Sequence, residues 1–195
     1  MSFEINQAEQ CKISENVGEI DWDKFPDAWY EVLHTNDPVM GKDVGGVKLR
    51  NFTRTRTGVS MMITELHQNS HSQTMTVHLI TKRAGVYEPK KSDESAVLTS
   101  HTLTPKGGRS EDAAKIDYAM FNGDVLILSD EKNYLINVFC SLSDEWVVWA
   151  GFPTMNPTIP QVTMMWNELM EKGINVQLHL AEAVEHPENF MGLES

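Results

Sequence analysis

Between residues 57 and 152 the chain is a succession of short runs rich in Val, Ile, Thr, Tyr and Met, separated at nearly regular intervals by turn-forming clusters. No other feature restricts the fold as much. Short, often alternating segments with frequent breaks read as strands, and their number and spacing point to an all-β unit. The pattern predicts strands near 59–66, 74–82, 96–104, 115–121, 124–129, 133–141 and 145–152. The breaks fall at Gln68-Asn69-Ser70, at Pro89-Lys90-Lys91-Ser92-Asp93, at Pro105-Lys106-Gly107-Gly108, at Asn122-Gly123 and at Ser143-Asp144. Asn122-Gly123 is the most specific, since a type I′ hairpin turn needs positive φ at both central positions. Alternation is clearest in 74–82, where Met75, Val77 and Leu79 share one face. With the run Trp29-Tyr30-Glu31-Val32-Leu33 the strands number eight. A meander of that length must close as a barrel or stack as a sandwich to protect its edges.

One helix follows. Thr158 with Gln161 fits a capping box, Pro160 suits an early helical position and Gly173 suits the stop. Val162, Met165, Trp166, Leu169 and Met170 recur at helical spacing, which predicts an amphipathic helix packed outside the β unit. Residues 176–180 read as a short last strand. The segment 182–195, rich in glutamate, reads as a solvated acidic tail, with an N-terminal segment over 1–20 and the folded unit over 21–181.

The 195 residues suit one domain, and 41% hydrophobic content suffices for a core. Asp and Glu outnumber Lys and Arg by 28 to 16, for a net charge of −12, which argues against a general nucleic-acid or anionic-membrane binder. No run approaches the length of a membrane span. The opening residues lack the apolar core of a signal peptide, so the chain reads as either cytosolic or the mature part of a secreted protein. Cys11 and Cys140 are either buried free thiols or one long-range disulfide; their separation excludes a CxxC site.

No nucleophile elbow, phosphate loop, HExxH or dinucleotide fingerprint is present, and the reading is not enzymatic. His67 and His71 lie in a turn region where a solvated loop is favoured over a metal site. His78 and His101 fall on successive expected strands as wall or surface histidines. Asn51-Phe52-Thr53 is an N-glycosylation acceptor if the chain is secreted.

Three segments carry a family resemblance. Asp23-Lys24-Phe25-Pro26-Asp27-Ala28-Trp29-Tyr30 resembles the opening signature of the lipocalins. Ser129-Asp130-Glu131-Lys132-Asn133-Tyr134 is similar to their Thr-Asp-Tyr turn, and Asn156-Pro157-Thr158-Ile159-Pro160 to their helix entry. Asp27 and Glu131 stand where the family carries Gly and Tyr, and no Arg precedes the helix. The resemblance spans roughly residues 11–181 and implies an eight-stranded up-and-down barrel with one C-terminal helix outside. It implies that Trp29 seals the base and that the connection over residues 35–56 overhangs the mouth, with 47–56 alternatively extending the second strand. In the apolipoprotein D and insect bilin-binding branch, cysteines placed like Cys11 and Cys140 pair, which implies a disulfide and secretion.

On this reading the cavity wall collects Val59, Met61 and Ile63; Met75, Val77 and Leu79; Ile116, Tyr118 and Met120; and Ile136 and Val138, with Tyr118 and His101 as orienting polar groups. The expected function is a secreted carrier of a small hydrophobic molecule such as a lipid, pheromone, fatty acid, bilin, carotenoid or retinoid. Two alternatives remain: a salivary-type scavenger of small amines, which requires buried carboxylates in the cavity, and a β-barrel or sandwich interaction module without a ligand.

Overall fold

The computed structural model of the chain describes residues 11–15, 17–67, 72–99 and 109–190. Eight strands form the body: β1 (Ala28–His34), β2 (Val44–Arg54), β3 (Gly58–His67), β4 (Ser72–Arg83), β5 (Val86–Pro89), β6 (Val125–Ser129), β7 (Leu135–Cys140) and β8 (Trp146–Phe152). Each pairs antiparallel with the next, and β1 pairs with both β2 and β8. The ring is therefore closed, which removes the free edges that an open meander would expose. Between β5 and β6 the chain makes a helical excursion, α1 (Glu94–Leu98) and α2 (Glu111–Phe121). After β8 come α3 (Ile159–Glu171), β9 (His179–Leu180) and α4 (Glu182–Glu185).

The strand count is as expected, but two of its members are not. Residues expected as a strand over 115–121 belong to α2, and 96–98 of the expected strand 96–104 to α1. Residues 100–108 lie outside the described residues. A cap decides the matter for α2. The Ser110 hydroxyl accepts the Ala113 N–H at 3.3 Å, and Glu111 and Asp112 place negative charge at the helix start. The apparent alternation of Ile116, Tyr118 and Met120 is incidental, because the helix buries Ala113, Asp117 and Phe121 at four-residue steps. Asn122-Gly123 is consequently not a hairpin turn: both have negative φ, and Asn122 donates through backbone and side chain to the Tyr118 carbonyl, ending α2.

The strands that replace these two are β2 and β5. Residues 35–43 alone connect β1 to β2, turning through a π-helical segment, Val39–Asp43. In β2, Val47 and Leu49 face the interior core while Lys48 and Arg50 alternate with them.

The closed end is aromatic. Trp29 is fully buried with Phe25 edge-on at 5.4 Å, and Phe25, Trp22, Phe52 and Tyr87 pack on one another with centroids 4.9–5.8 Å apart. The Glu131 carboxylate accepts the Asp21 N–H at 2.6 Å, tying the N-terminal approach to the β6–β7 turn. Cys11 and Cys140 form a disulfide, fixing the same approach to β7.

Helix α3 starts and stops where its sequence directs. Both hydrogen bonds of the Thr158–Gln161 capping box are made, and Gly173 takes the left-handed conformation (φ 71°). Met165 and Leu169 are buried against Ile136, Val138, Leu126 and Phe152 on the outside of the barrel. Trp166 and Met170, expected in the same contact, remain 40% and 51% exposed, so the packed stripe is narrower than the apolar one. The segment beyond it is also held down. β9 pairs with β1, Ala181 and Ala183 are buried, and Phe190 packs with Leu66 and Met155. Gly45 makes room for it: a Cβ there would sit 2.2 Å from the Phe190 ring. The solvated tail expected from residue 182 onward is thus packed to residue 190. Among the described residues no helix is long and apolar enough to cross a membrane.

Candidate functional site

The barrel encloses a cavity of about 70 Å³. Its walls are Val47 and Leu49 from β2, Ile63 from β3, Met75, Val77 and Leu79 from β4, and Asn137 and Trp149 from β7 and β8. Val97 of α1 and Asp117 and Met120 of α2 complete the lining, so the helical excursion lies over the mouth as a lid. Drug-sized ligands occupy pockets of roughly 300–1,000 Å³. This hollow as it stands takes only a compact molecule.

Five of the residues expected on the cavity wall border it: Ile63, Met75, Val77, Leu79 and Met120. Val59 and Met61 are buried in the same interior core without bordering the cavity. The structure corrects the other expectations. Ile136 and Val138 point outward beneath α3, because β7 presents Leu135, Asn137 and Phe139 inward instead. That is a one-residue error in parity, which exchanges the faces of a whole strand. Tyr118, on the outer side of α2, is half exposed with the Lys91 ammonium 5.1 Å from its ring centroid. Ile116 borders an outer cleft and packs only partly on the core. His101 lies outside the described residues, as does His71. His67 is buried with Nε2 3.9 Å from a Glu65 oxygen, and His78 places Nδ1 3.0 Å from Asp93, whose carboxylate also accepts the His78 N–H. Among the described residues no cluster of three or more metal-binding side chains occurs. Asn51 is exposed, at a bulge in β2 with φ 55°.

The buried carboxylates that the amine alternative requires are present, on residues that the sequence reading does not single out. Among the described residues, Glu31, Glu65 and Asp117 border the cavity against a single cation, Arg109. The Arg109 guanidinium grips Glu65 through both terminal nitrogens, at 3.0 and 2.6 Å, and its Nε lies 2.7 Å from Asp117. Burial alone would lower the Arg109 pKa, but these two carboxylates overcome it and raise it. At the foot of α2, the Ser110 backbone and hydroxyl both donate to Asp43, at 3.2 and 2.9 Å. The lid is therefore latched by one buried ionic cluster and one capped turn. Asp37, nearby, accepts from the Val39 and Met40 backbones and from the Trp149 indole, each at 3.0 Å.

Glu31 differs from all of these. It is 4% exposed, borders the cavity, and has no hydrogen bond or ion-pair partner among the described residues. Desolvation, with repulsion from Glu65 and Asp37 added, pushes its pKa up to about 8. Asp117 is raised to about 7, chiefly by burial, which outweighs the neighbouring Arg109. The sequence did hold a signal for these groups. Glu31 follows Trp29 by two residues and Glu65 follows Ile63 by two, which places each carboxylate on the buried face of its strand.

A closed eight-stranded up-and-down barrel with a C-terminal helix packed outside is the lipocalin fold, and this chain has it. Solved structures of that architecture are similar to it over most of their length. Per a 4, a major allergen of cockroaches, is 11% identical, with 90% of this chain and 96% of that one covered at a TM-score of 0.56. The tryptamine complex of the amine binding protein of Rhodnius prolixus is 11% identical, with 94% and 90% covered at 0.56. Apocrustacyanin C2 is 10% identical, with 81% and 77% covered at 0.51. No family model and no curated protein matches the sequence.

Proposed function

We propose that this protein carries or sequesters a small organic cation, an amine with a compact apolar body, inside the barrel. The observation that carries the reading is Glu31, a buried carboxylate on the cavity wall without a cationic partner among the described residues. A buried charge of this kind is costly unless paired, and a ligand ammonium is the partner it lacks. The apolar walls contribute by burying the ligand body, at about 25 cal/mol per Å² before ordering costs. A fatty acid would bring a further carboxylate towards Glu31, Glu65 and Asp117. The likeness to an amine-binding protein crystallised with tryptamine agrees with this reading.

A neutral hydrophobic ligand is the second reading, favoured by the Met40, Met75 and Met120 side chains on the wall, which are flexible enough to give way. It requires the lid to shift, because the present hollow is far below the size of a retinoid or bilin. The disulfide supports an oxidising, extracellular setting for either reading, in which the exposed Asn51 is a glycan acceptor.

Titration calorimetry with tryptamine, a fatty acid and retinol tests the choice, together with native mass spectrometry of the purified protein. The proposal expects saturable binding of tryptamine and none of the fatty acid. Binding of retinol or fatty acid in preference to the amine would replace it with the hydrophobic carrier.

A further inference from the structure

We infer that the outer side of α3 is a self-association surface, on which a second copy of this chain packs its own α3 antiparallel across a two-fold axis. The inference is independent of the cavity and its ligand. Ile159, Thr163, Trp166 and Met170 follow one another at steps of four, three and four residues, the spacing of a helix–helix seam. This stripe runs beside the buried one of Met165 and Leu169, for about 16 Å along the helix at about 1.5 Å per residue. Ile159, Trp166 and Met170 are 84%, 40% and 51% exposed. A stable interface buries about 800 Å² per partner, a little over half of it apolar. These three side chains offer on the order of 400 Å², which is that apolar share.

The symmetry of the stripe selects a second copy as the occupant. An axis passing between Met164 and Met165 sets Ile159 opposite Met170 of the partner subunit, and Thr163 opposite Trp166 of the partner subunit. The short Thr163 leaves room for the indole, and each pair is made twice, as a two-fold interface requires. The Thr163 hydroxyl already donates to the Ile159 carbonyl at 2.9 Å, so enclosing it strands no polar group. Charge does not oppose the approach: Ile159–Asn167 carries none, and Glu168 has the Lys172 ammonium 3.7 Å away. Lys and Arg are absent from Ile159–Glu171, which argues against a lipid surface, since helices that lie on membranes carry basic polar faces.

The test is sedimentation equilibrium of the full, disulfide-bonded chain in about 0.15 M salt, which screens the net charge of −12 on each copy beyond about 8 Å. A monomer–dimer equilibrium with a dissociation constant on the order of 10 μM is expected. Trp166→Ser should raise that constant at least about a hundredfold, since each substitution acts twice across the axis. Thr163→Trp is the sharper variant: it sets indole against indole and should abolish the dimer, although it makes the surface more apolar. Both positions are exposed, and circular dichroism matching the unmodified chain shows that each variant is folded. An unmodified chain that stays monomeric to about 300 μM overturns the inference and leaves the face to an occupant of another kind. A dimer that survives Trp166→Ser overturns it by placing the interface elsewhere. One that Thr163→Trp leaves unchanged or tightens overturns it by denying the antiparallel pairing.

Discussion

The two ends of the barrel are built from opposite materials. At the base, Trp29, Phe25, Trp22, Phe52 and Tyr87 fill the space with rings, and the charges there, Asp21, Asp23 and Arg54, stay at the surface. At the mouth, a guanidinium and two carboxylates are drawn inside beneath a helical lid, and a third carboxylate has no partner among the described residues. Burying rings stabilises a fold with little risk, whereas burying charge stabilises only when every member is matched. The base therefore looks optimised for stability and the mouth for an incoming molecule. The lesson concerns where to look for function: in the end that violates the packing rules the other end obeys.

The largest effects should come from removing the central group at each end. Trp29→Ala leaves a large void among the rings and is expected to cost about 3–5 kcal/mol. Arg109→Ala is expected to cost a similar 3–5 kcal/mol for a different reason, since it strands Glu65 and Asp117 as buried charges. Urea denaturation at two pH values separates the mechanisms. The Arg109 loss should shrink in mild acid, where the buried Asp117, its pKa raised to about 7, takes up a proton, while the Trp29 loss should not. Equal pH profiles for the two variants would mean that the mouth is stabilised by packing like the base.

Glu31→Gln sharpens the contrast by its sign. A carboxyl whose pKa is raised from 4.5 to about 8 on folding holds its proton more tightly in the native state. Stability from this group therefore falls as pH rises from about 4.5 towards 8 and is level above that. Asp117, raised to about 7, acts in the same direction, so the interval between 7 and 8 belongs mainly to Glu31. Replacement by Gln should raise stability at pH 8 by on the order of 2 kcal/mol while abolishing amine binding. In the unmodified protein, amine binding below pH 8 should release a proton, which calorimetry in buffers of different ionisation enthalpy detects. A destabilised Glu31→Gln protein would show that the carboxylate is satisfied in a way this geometry does not provide.

Much of the base and the outer helix could be read in the chain, because local chemistry decides them. Thr158, Gln161, Pro160 and Gly173 specify α3 within its own residues, and the β3 and β4 alternation follows from Ile63, Met75, Val77 and Leu79. The lid could not be read this way, since Ile116, Tyr118 and Met120 fit a period of two as well as a helix turned by one residue. Only the Ser110 cap with its two acidic followers distinguishes them. Strand β2 was obscured by Gly45, whose reason for being there, the Phe190 ring, arrives 145 residues later. The cysteine count left two options open, and only the approach of residue 11 to β7 selects the disulfide. The charged lining escaped for another reason. A glutamate on a strand reads as a solvent-facing residue, even at Glu31 and Glu65, which share the faces of Trp29 and Ile63.

A smaller effect is expected at the foot of the lid. Ser110→Ala removes both the α2 cap and the hydroxyl contact to Asp43, and should cost roughly 1 kcal/mol. If α2 is the moving part, hydrogen exchange should accelerate over 111–121 and not over the barrel, with faster ligand dissociation. Uniform acceleration would make lid and barrel one cooperative unit.

The mildest test compares the two faces of the wall. Ile63→Val and Ile136→Val each remove one methylene, at about 0.5–1.5 kcal/mol of stability. Ile63 borders the cavity from β3, whereas Ile136 meets Met165 and Leu169 of α3 on the far side of the sheet. Only Ile63→Val should therefore alter the affinity for the bound amine, and Ile136→Val should leave it unchanged. Because the chemical change is identical, stability cannot account for a difference between them. An affinity change in Ile136→Val equal to that in Ile63→Val would mean that the helix side of the barrel communicates with the cavity, and that the separation between a stabilising shell and a binding interior does not hold.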